Sequence, residues 1–202
     1  AILLDTKGPE IRTGLVENDG KITISAGEKV ELVTDDSFCT ASSGGKNCRL
    51  SISWKAACEK LFPGVKVLIA DGLIELDVDE IRNGVVYCTA ANSGTIGSRK
   101  NVNLIGVHAG LPIMSEKDKE DLKFGAQMDV DFVAASFVSF PEEVVEIKEY
   151  LKSVGADARV IAKIENEEGV NNIEGIVKEA DGIMVARGDL GVQLPTERIP
   201  LA

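Results

Sequence analysis

The chain has 202 residues, 44% hydrophobic and 27% charged, the balance of an ordinary globular protein of one or two domains. Its net charge of −11, without a dense Lys/Arg run, argues against nucleic acid as a partner. No run reaches the roughly 18 apolar residues of a membrane span, so no membrane partner is expected. Cys39, Cys48, Cys58 and Cys88 form no CxxC pair, and His108 is the only histidine. A zinc site is therefore not expected, whereas reduced thiols in a cytoplasmic protein are.

Residues 1–6, AILLDT, read as an apolar strand ending in Asp5 and Thr6. The chain starts inside this run and without Met, so a piece of a longer protein is expected. A turn explains Asp5 more simply than cation ligation does, because Asp and Gly-Pro favour turns. From Pro9 the texture changes. Residues 21–25 alternate with period two, residues 30–34 continue strand-like, and residues 50–53 alternate again. Residues 54–61 suggest one short helix. Residues 65–70, 74–78 and 85–90 read as strands joined by turns at Asp71-Gly72 and Asn83-Gly84, the latter a strong hairpin signal. This run predicts a small all-β barrel domain over residues 9–102. Its closing loop, 94–100, places glycines beside Ser98, Arg99 and Lys100 and could cradle a phosphate. A solvated turn is the plainer explanation, and neither a Walker A loop nor GxGxxG is present.

From residue 103 helix and strand alternate. Ser115 with Asp118 reads as the capping box of a helix reaching about Gln127. Residues 131–136, DFVAAS, read as a buried strand. Pro141 opens a helix whose buried face is Val144, Ile147, Leu151 and Val154. Residues 160–164 and 183–186 are apolar runs too short for helices, with Val170, Ile173 and Val177 at helical spacing between them. Such a crossover predicts parallel pairing. After Gly191, Pro195 and Pro200 leave a partial helix or loop. Four strands (1–6, 131–136, 160–165 and 183–187) are half of what an α/β barrel needs, and the first is severed from the rest by the β domain. The expected fold is α/β. It comprises a partial (β/α)8 TIM barrel of about four strands, residues 1–8 and 103–202, with an inserted small all-β barrel domain, residues 9–102. Its cut edges would expose apolar surface and unpaired backbone groups.

In parallel sheets ligands gather at the carboxyl ends of strands. The run 160–164 ends in Lys163 and Glu165, and the run 183–186 ends in Arg187, Gly188 and Asp189. Lys163 and Glu165 are two residues apart and so share one face of a strand. Glu165 and Asp189 make a plausible Mg2+ or Mn2+ site, because such ions take oxygen ligands and often use only one or two carboxylates. Solvated charge where strands meet loops is the competing explanation.

The segments LLDTKGPEIRTG (3–14), IADGLIEL (69–76), GSRKNVNL (97–104), LPIMSEKDKEDLKFG (111–125), DVDFVAASFV (129–138), AKIENEEGV (162–170) and DGIMVARGDLGVQLP (181–195) resemble the pyruvate kinase family, in matching order and spacing. The resemblance implies transfer of the phosphoryl group of phosphoenolpyruvate to ADP, giving pyruvate and ATP in the last step of glycolysis. It implies Mg2+ or Mn2+ and K+ as cofactors, and a homotetrameric parent. It also implies roles at the matching positions. Lys163 would neutralise the transferring phosphoryl group. Glu165 and Asp189 would hold the divalent metal, and Asp5 with the Thr6 carbonyl would hold K+, with Glu10 marking a K+-dependent member. The backbone N–H groups of Gly188 and Asp189 would bind the substrate carboxylate. Arg12 and Lys100 would contact nucleotide phosphates, with Asp71 and Ser136 as further cleft residues. Residues 9–102 would be a lid domain.

Three positions depart from the family pattern: Asn101 and Ile105 stand where glycine and proline are usual, and Gly110 where an acidic residue is common. The departure at Asn101 puts the role of Lys100 in question. The resemblance also implies parts outside this sequence: an early Asn-x-Ser segment, a later barrel threonine that delivers a proton, and a regulatory domain. The chain alone is therefore expected to be inactive. Two rival readings are a metal-dependent lyase or aldolase acting on a pyruvate-type enolate, and a non-catalytic nucleotide-binding fragment.

Overall fold

The computed structural model, which describes residues 1–194, divides into a unit formed by residues 1–9 with those from Leu111 onward and a second unit of residues 10–110. The chain opens on β1 (Leu3–Asp5) of the first unit. The second unit then follows with β2 (Ile11–Arg12), β3 (Ile22–Ile24), β4 (Lys29–Val33), β5 (Cys48–Ser51), α1 (Ala57–Lys60), β6 (Lys66–Ile69), β7 (Ile74–Arg82), β8 (Val85–Ala90), β9 (Gly94–Ile96) and β10 (Asn101–Leu104). Seven of these strands form a sheet in the order β2-β10-β6-β7-β8-β4-β5, and β3 pairs with β9. Alternation builds them: Ile22 and Ile24 are buried while Thr23 between them is exposed, and Ile74, Leu76 and Val78 are buried along β7. Asn83 and Gly84 have φ of 54° and 75°, the two left-handed residues that a tight hairpin between β7 and β8 requires. Trp54 is buried ahead of α1, which is shorter than residues 54–61 suggested. Residues 103–110, expected with the barrel part, stay with the second unit. Asn103 and Leu104 pair with Leu68 and Val67, and the Trp54 indole donates to the Ala109 carbonyl at 3.1 Å. All four cysteines are free, and burial pushes the Cys48 and Cys88 thiols up to about 12, which leaves them unreactive.

The first unit continues with α2 (Glu116–Gln127), β11 (Phe132–Ala135), α3 (Pro141–Ser153), β12 (Arg159–Ile164), α4 (Glu167–Asn171), α5 (Ile173–Glu179), β13 (Gly182–Val185) and α6 (Arg187–Gln193). The four strands pair in parallel in the order β1-β11-β12-β13, which is about half of an α/β barrel. Helices cover one face. Val160, Ala162 and Ile164 of β12 share a core with Val144, Ile147 and Leu151 of α3 and Ile176 of α5. Along α3, Val154 is only half-buried, because it is the residue on which the helix ends. The segment between β12 and β13 is two helices, not one. Asn172 (φ −102°, ψ 11°) separates them and shifts the helical phase. Val177 is consequently 53% exposed, and its neighbour Ile176 is the buried residue. Both outer strands show apolar side chains to solvent, Ile2 and Leu3 at one edge and Met184 and Val185 at the other, as a half barrel requires. The stretch from Pro195 lies outside the described residues. No helix among those described is long and apolar enough to cross a membrane.

The amino ends of the strands are fastened by a repeated device. Asp131 precedes β11; its carboxylate accepts the Ile2 N–H at 2.6 Å, and its own N–H donates to the Ile2 carbonyl at 2.9 Å. Asp181 precedes β13 and does the same to Val160, at 2.8 and 2.9 Å. Lys148 adds an ion pair to Asp181 at 3.0 Å. Burial pushes the Asp181 carboxyl up, but the Val160 N–H and the Lys148 ammonium outweigh it and hold the group below its ordinary 3.8. A depressed carboxyl stabilises the fold fully above that value, and the contribution is lost as pH falls through the lower folded-state pKa. Asp181→Ala is expected to cost about 1–2 kcal/mol in urea denaturation at neutral pH, with the difference from wild type shrinking below about pH 4. A variant equal to wild type at neutral pH would show that the staple contributes nothing.

Candidate functional site

The alternation of β12 decides where Lys163 points. Val160, Ala162 and Ile164 face the helices, so Lys163 projects from the opposite face, where its side chain is 13% exposed. Its ammonium meets three strand ends. It donates to Asp5 Oδ1 at 3.0 Å, to Ser136 Oγ at 2.8 Å and to Glu165 Oε1 at 3.2 Å. An ammonium has three protons, and each has an acceptor. Ser136, just after β11, is the second junction. Its hydroxyl donates to the Thr6 carbonyl at 2.7 Å and lies 3.3 Å from Asp5 Oδ1, and its N–H donates to Thr6 Oγ1 at 3.2 Å. The turn after β1 packs so closely here that a Cβ on Gly8 would come within 2.8 Å of the Ser136 carbonyl oxygen. Gly8 also has φ +70°, so both space and backbone favour glycine. Asp118, the buried capping residue of α2, accepts the Gly8 N–H at 3.3 Å and so ties the helix start to this turn.

Glu165 is the most enclosed member of the group, its side chain 3% exposed. Its second oxygen accepts the Phe137 N–H at 2.7 Å. Burial pushes its carboxyl above the ordinary range; the Phe137 N–H and Lys163 oppose that push, and the charge of Asp189 adds to it. For Lys163, burial acts to lower the pKa, but Asp5 and Glu165 outweigh it and hold the ammonium above its ordinary value. Asp189 and Gly188, read from the sequence as a strand end, lie in the first turn of α6, because β13 stops at Val185. First-turn N–H groups have no partner within an α-helix.

The donor set can be tested against the implied cations. Two carboxylates, Asp5 and Glu165, pair with the one ammonium, and the charge of Asp189 acts on Glu165, so hard carboxylate oxygens outnumber the cation they share. No group of three or more His, Cys, Asp or Glu side chains forms a metal cage among the described residues. Glu165 and Asp189, close enough for their charges to interact, are the kind of oxygen donors an ion such as Mg2+ takes, since it uses one or two carboxylates and completes its shell with water and substrate oxygens. The Asp5 carboxylate and the Thr6 carbonyl both lie within hydrogen-bond reach of Ser136 Oγ, so the hydroxyl holds the two oxygens side by side.

In the second unit, the Arg12 guanidinium is forked onto Glu10, at 2.9 and 3.1 Å, and donates to the Arg99 carbonyl at 2.8 Å. The hydrogen bond to Glu10 raises its pKa; burial opposes that, and the charges of Glu10 and Asp71 add to it. Lys100 is exposed. Its backbone pairs with Thr13 through Thr13 N–H to the Lys100 carbonyl at 2.7 Å and Lys100 N–H to Thr13 Oγ1 at 2.8 Å. Asp71 is held by Asn101 through bonds in both directions. Thus Lys163, Glu165, Asp5, Thr6 and Ser136 assemble in one unit, with Gly188 and Asp189 in α6 of the same unit, while Arg12, Asp71 and Lys100 belong to the other. The Phe137 N–H on Glu165 was not legible beforehand, because a backbone donor has no residue signature. The Arg12–Glu10 fork had a faint one, in two opposite charges two residues apart in a strand.

A parallel sheet with helical crossovers and with ionisable side chains gathered at its carboxyl ends defines the α/β-barrel class, of which this unit is about half. The family model described as "Pyruvate kinase, barrel domain" matches residues 1–202, and the chain belongs to that family. The pyruvate kinase of Clostridium acetobutylicum is 46% identical over 202 residues, covering 100% of this chain and 41% of that protein. That of Geobacillus stearothermophilus is 44% identical over 204 residues, covering 100% of this chain and 34% of that protein. The crystal structure of a pyruvate kinase from Cryptosporidium parvum matches with a TM-score of 0.86 at 40% identity, covering 98% of this chain and 41% of that one. The chain therefore spans less than half the length of these relatives.

Ser136→Ala removes a buried hydroxyl that serves both Lys163 and the Thr6 carbonyl. It is expected to destabilise the protein by about 1–3 kcal/mol, read as a lowered urea midpoint at unchanged m-value. No change would mean that water replaces the hydroxyl without loss.

Proposed function

We propose that the protein containing this chain transfers the phosphoryl group of phosphoenolpyruvate to ADP, and that this chain carries the groups that stabilise the transfer. The observation that carries the reading is the Lys163 ammonium, held at the carboxyl end of a parallel sheet in a chain that matches the pyruvate kinase family along its whole length. In the reaction the bond between phosphorus and the enolate oxygen breaks. A bond to the terminal phosphate oxygen of ADP forms, and the enolate takes up a proton to give pyruvate. Chemistry of this kind is dominated by positioning and charge stabilisation.

Lys163 acts as the catalytic cation. Asp5 is its most exposed partner, at 58%, so the ammonium can exchange that contact for phosphoryl oxygens while keeping Glu165 and Ser136. Ser136 holds the ammonium in place. The first-turn N–H groups of Gly188 and Asp189 donate to the substrate carboxylate. Glu165 and Asp189 would hold Mg2+ or Mn2+, and Asp5 with the Thr6 carbonyl would hold K+. The divalent ion, when bound, supplies positive charge against the oxygens of the migrating phosphoryl group. Arg12 and Lys100 engage the nucleotide phosphates, and Asp71 tunes the charge around Arg12. In this reading the second unit is the lid domain and the parent is a cytoplasmic homotetramer.

The test is pyruvate formation by the full-length protein from phosphoenolpyruvate and ADP with Mg2+, with and without K+. Pyruvate release without ADP would indicate a lyase instead. Lys163→Met is expected to lower kcat by about 100- to 1000-fold with the fold retained at the assay temperature, read by circular dichroism; a variant within a few-fold of wild type would overturn the assigned role. Glu165→Gln is expected to weaken Mn2+ binding about tenfold or more, measured by electron paramagnetic resonance of free Mn2+. An unchanged Kd would remove Glu165 from the ligand set.

A further inference from the structure

Arg12, Asn101 and Asp71 stand in a row across three neighbouring strands. β10 lies between β2 and β6, Arg12 is in register opposite Asn101, and the turn carrying Asp71 follows β6. Opposed residues of an antiparallel pair place their side chains on one face, about 5 Å apart. The turn itself is unusual. Ala70, Asp71 and Gly72 have φ of 54°, 58° and 83°, three successive residues in the left-handed region, two of them not glycine. Such a conformation persists only when its surroundings fix it.

Asn101 supplies that fixation through three of its polar groups. Its carbonyl accepts the Ala70 N–H at 3.0 Å, its side-chain Oδ1 accepts the Asp71 N–H at 3.0 Å, and its Nδ2 donates to Asp71 Oδ1. The chemistry is specific to an amide. Aspartate could accept from the turn but could not donate to a carboxylate, and glycine, the family's usual residue by resemblance, could do neither through a side chain. Meanwhile Arg12 commits three of its five N–H donors, two to Glu10 and one to the Arg99 carbonyl. The Asp71 charge reaches the guanidinium, yet no hydrogen bond joins them.

We propose that Asn101 is a positioning residue for nucleotide recognition: by clamping Asp71 in the strained turn, it keeps that carboxylate off the remaining donors of Arg12, which stay available to the phosphates of a nucleoside diphosphate. The inference rests on the reading of Arg12 as a phosphate contact. It gives Asp71 an indirect part, as a competitor held back, and makes the clamp particular to a chain with an amide at this position.

The experiment compares the KM for ADP and for phosphoenolpyruvate in the full-length protein and four variants: Arg12→Ala, Asn101→Gly, Asp71→Asn and the double change Asn101→Gly/Asp71→Asn. Releasing a carboxylate to an exposed arginine is worth the energy of a surface ion pair, so Asn101→Gly is expected to raise the KM for ADP roughly two- to fivefold. The KM for phosphoenolpyruvate should stay unchanged. Adding Asp71→Asn should restore the KM for ADP, because no charge remains to compete; a merely structural defect would not be rescued. Asn101→Ala repeats the test with better strand propensity should the glycine variant fail to fold. An unchanged KM for ADP in Asn101→Gly or Asn101→Ala, or a rise that Asp71→Asn leaves in place, overturns the inference. If Arg12→Ala leaves the KM for ADP unchanged, the reading of Arg12 fails first. A raised KM in Arg12→Ala beside an inert Asn101→Gly sinks the clamp alone.

Discussion

An ammonium group shielded from water must find an acceptor for each of its protons, and the arrangement of the first unit follows from that demand. Removing Lys163 and Glu165 from water costs several kcal/mol for each ion, and their mutual attraction offsets this only when the remaining hydrogen bonds are also made. The acceptors come from three places far apart in sequence: Asp5 at the end of β1, Ser136 after β11 and Glu165 after β12. A parallel sheet is the economical way to bring such residues together, because every strand then ends at the same edge. The register Leu4 to Val133 and Val133 to Val160 is therefore the geometric condition for the ammonium to be satisfied. A slip of one residue in β12 would turn Lys163 into the helix-packed core and Ile164 out of it.

The two ends of that sheet do different work. At the amino ends, Asp131 fastens β11 to β1 and Asp181 fastens β13 to β12, each by a pair of bonds. At the carboxyl ends the charges are unbalanced, with Asp5 and Glu165 sharing one ammonium and the charge of Asp189 acting on Glu165. The strand-fastening contacts lie at one end and the cluster of ionisable groups at the other, the division expected for β/α sheets. The second unit shows the same economy at smaller scale. Arg12, Asn101 and Asp71 are separated in sequence but adjacent across strands β2, β10 and the end of β6. The Phe137 backbone, with φ of 60° for a bulky residue, is a further place where strain accompanies the site, since its N–H is the one that holds Glu165.

Much of this was legible locally. Period-two alternation marked β3, a short apolar run marked β12, the Ser115–Asp118 pair marked the start of α2, and the spacing of Lys163 and Glu165 set both on one side of a strand end. What escaped local reading has a common cause. Val177 fits a helical stripe only if the helix is unbroken, and Asn172 breaks it. Gly188 and Asp189 read as a strand end because nothing in Ala-Arg-Gly-Asp announces that α6 begins at once. Residues 103–110 read as the start of the barrel part, and only their pairing with β6 and the contact of Ala109 with Trp54 assign them to the β unit.

The sequence by itself determined the half-barrel strand count, the start of α2 and the identity of the charged residues that follow the strands. These depend on periodicity and turn chemistry, which act over a few residues. The tertiary structure decided which charges meet. The Lys163 ammonium lies among Asp5, Ser136 and Glu165, Phe137 anchors Glu165, and Asn101 clamps Asp71. Those contacts depend on strand order and register, which are fixed by the burial of a whole face at once. No short stretch of the chain contains that information.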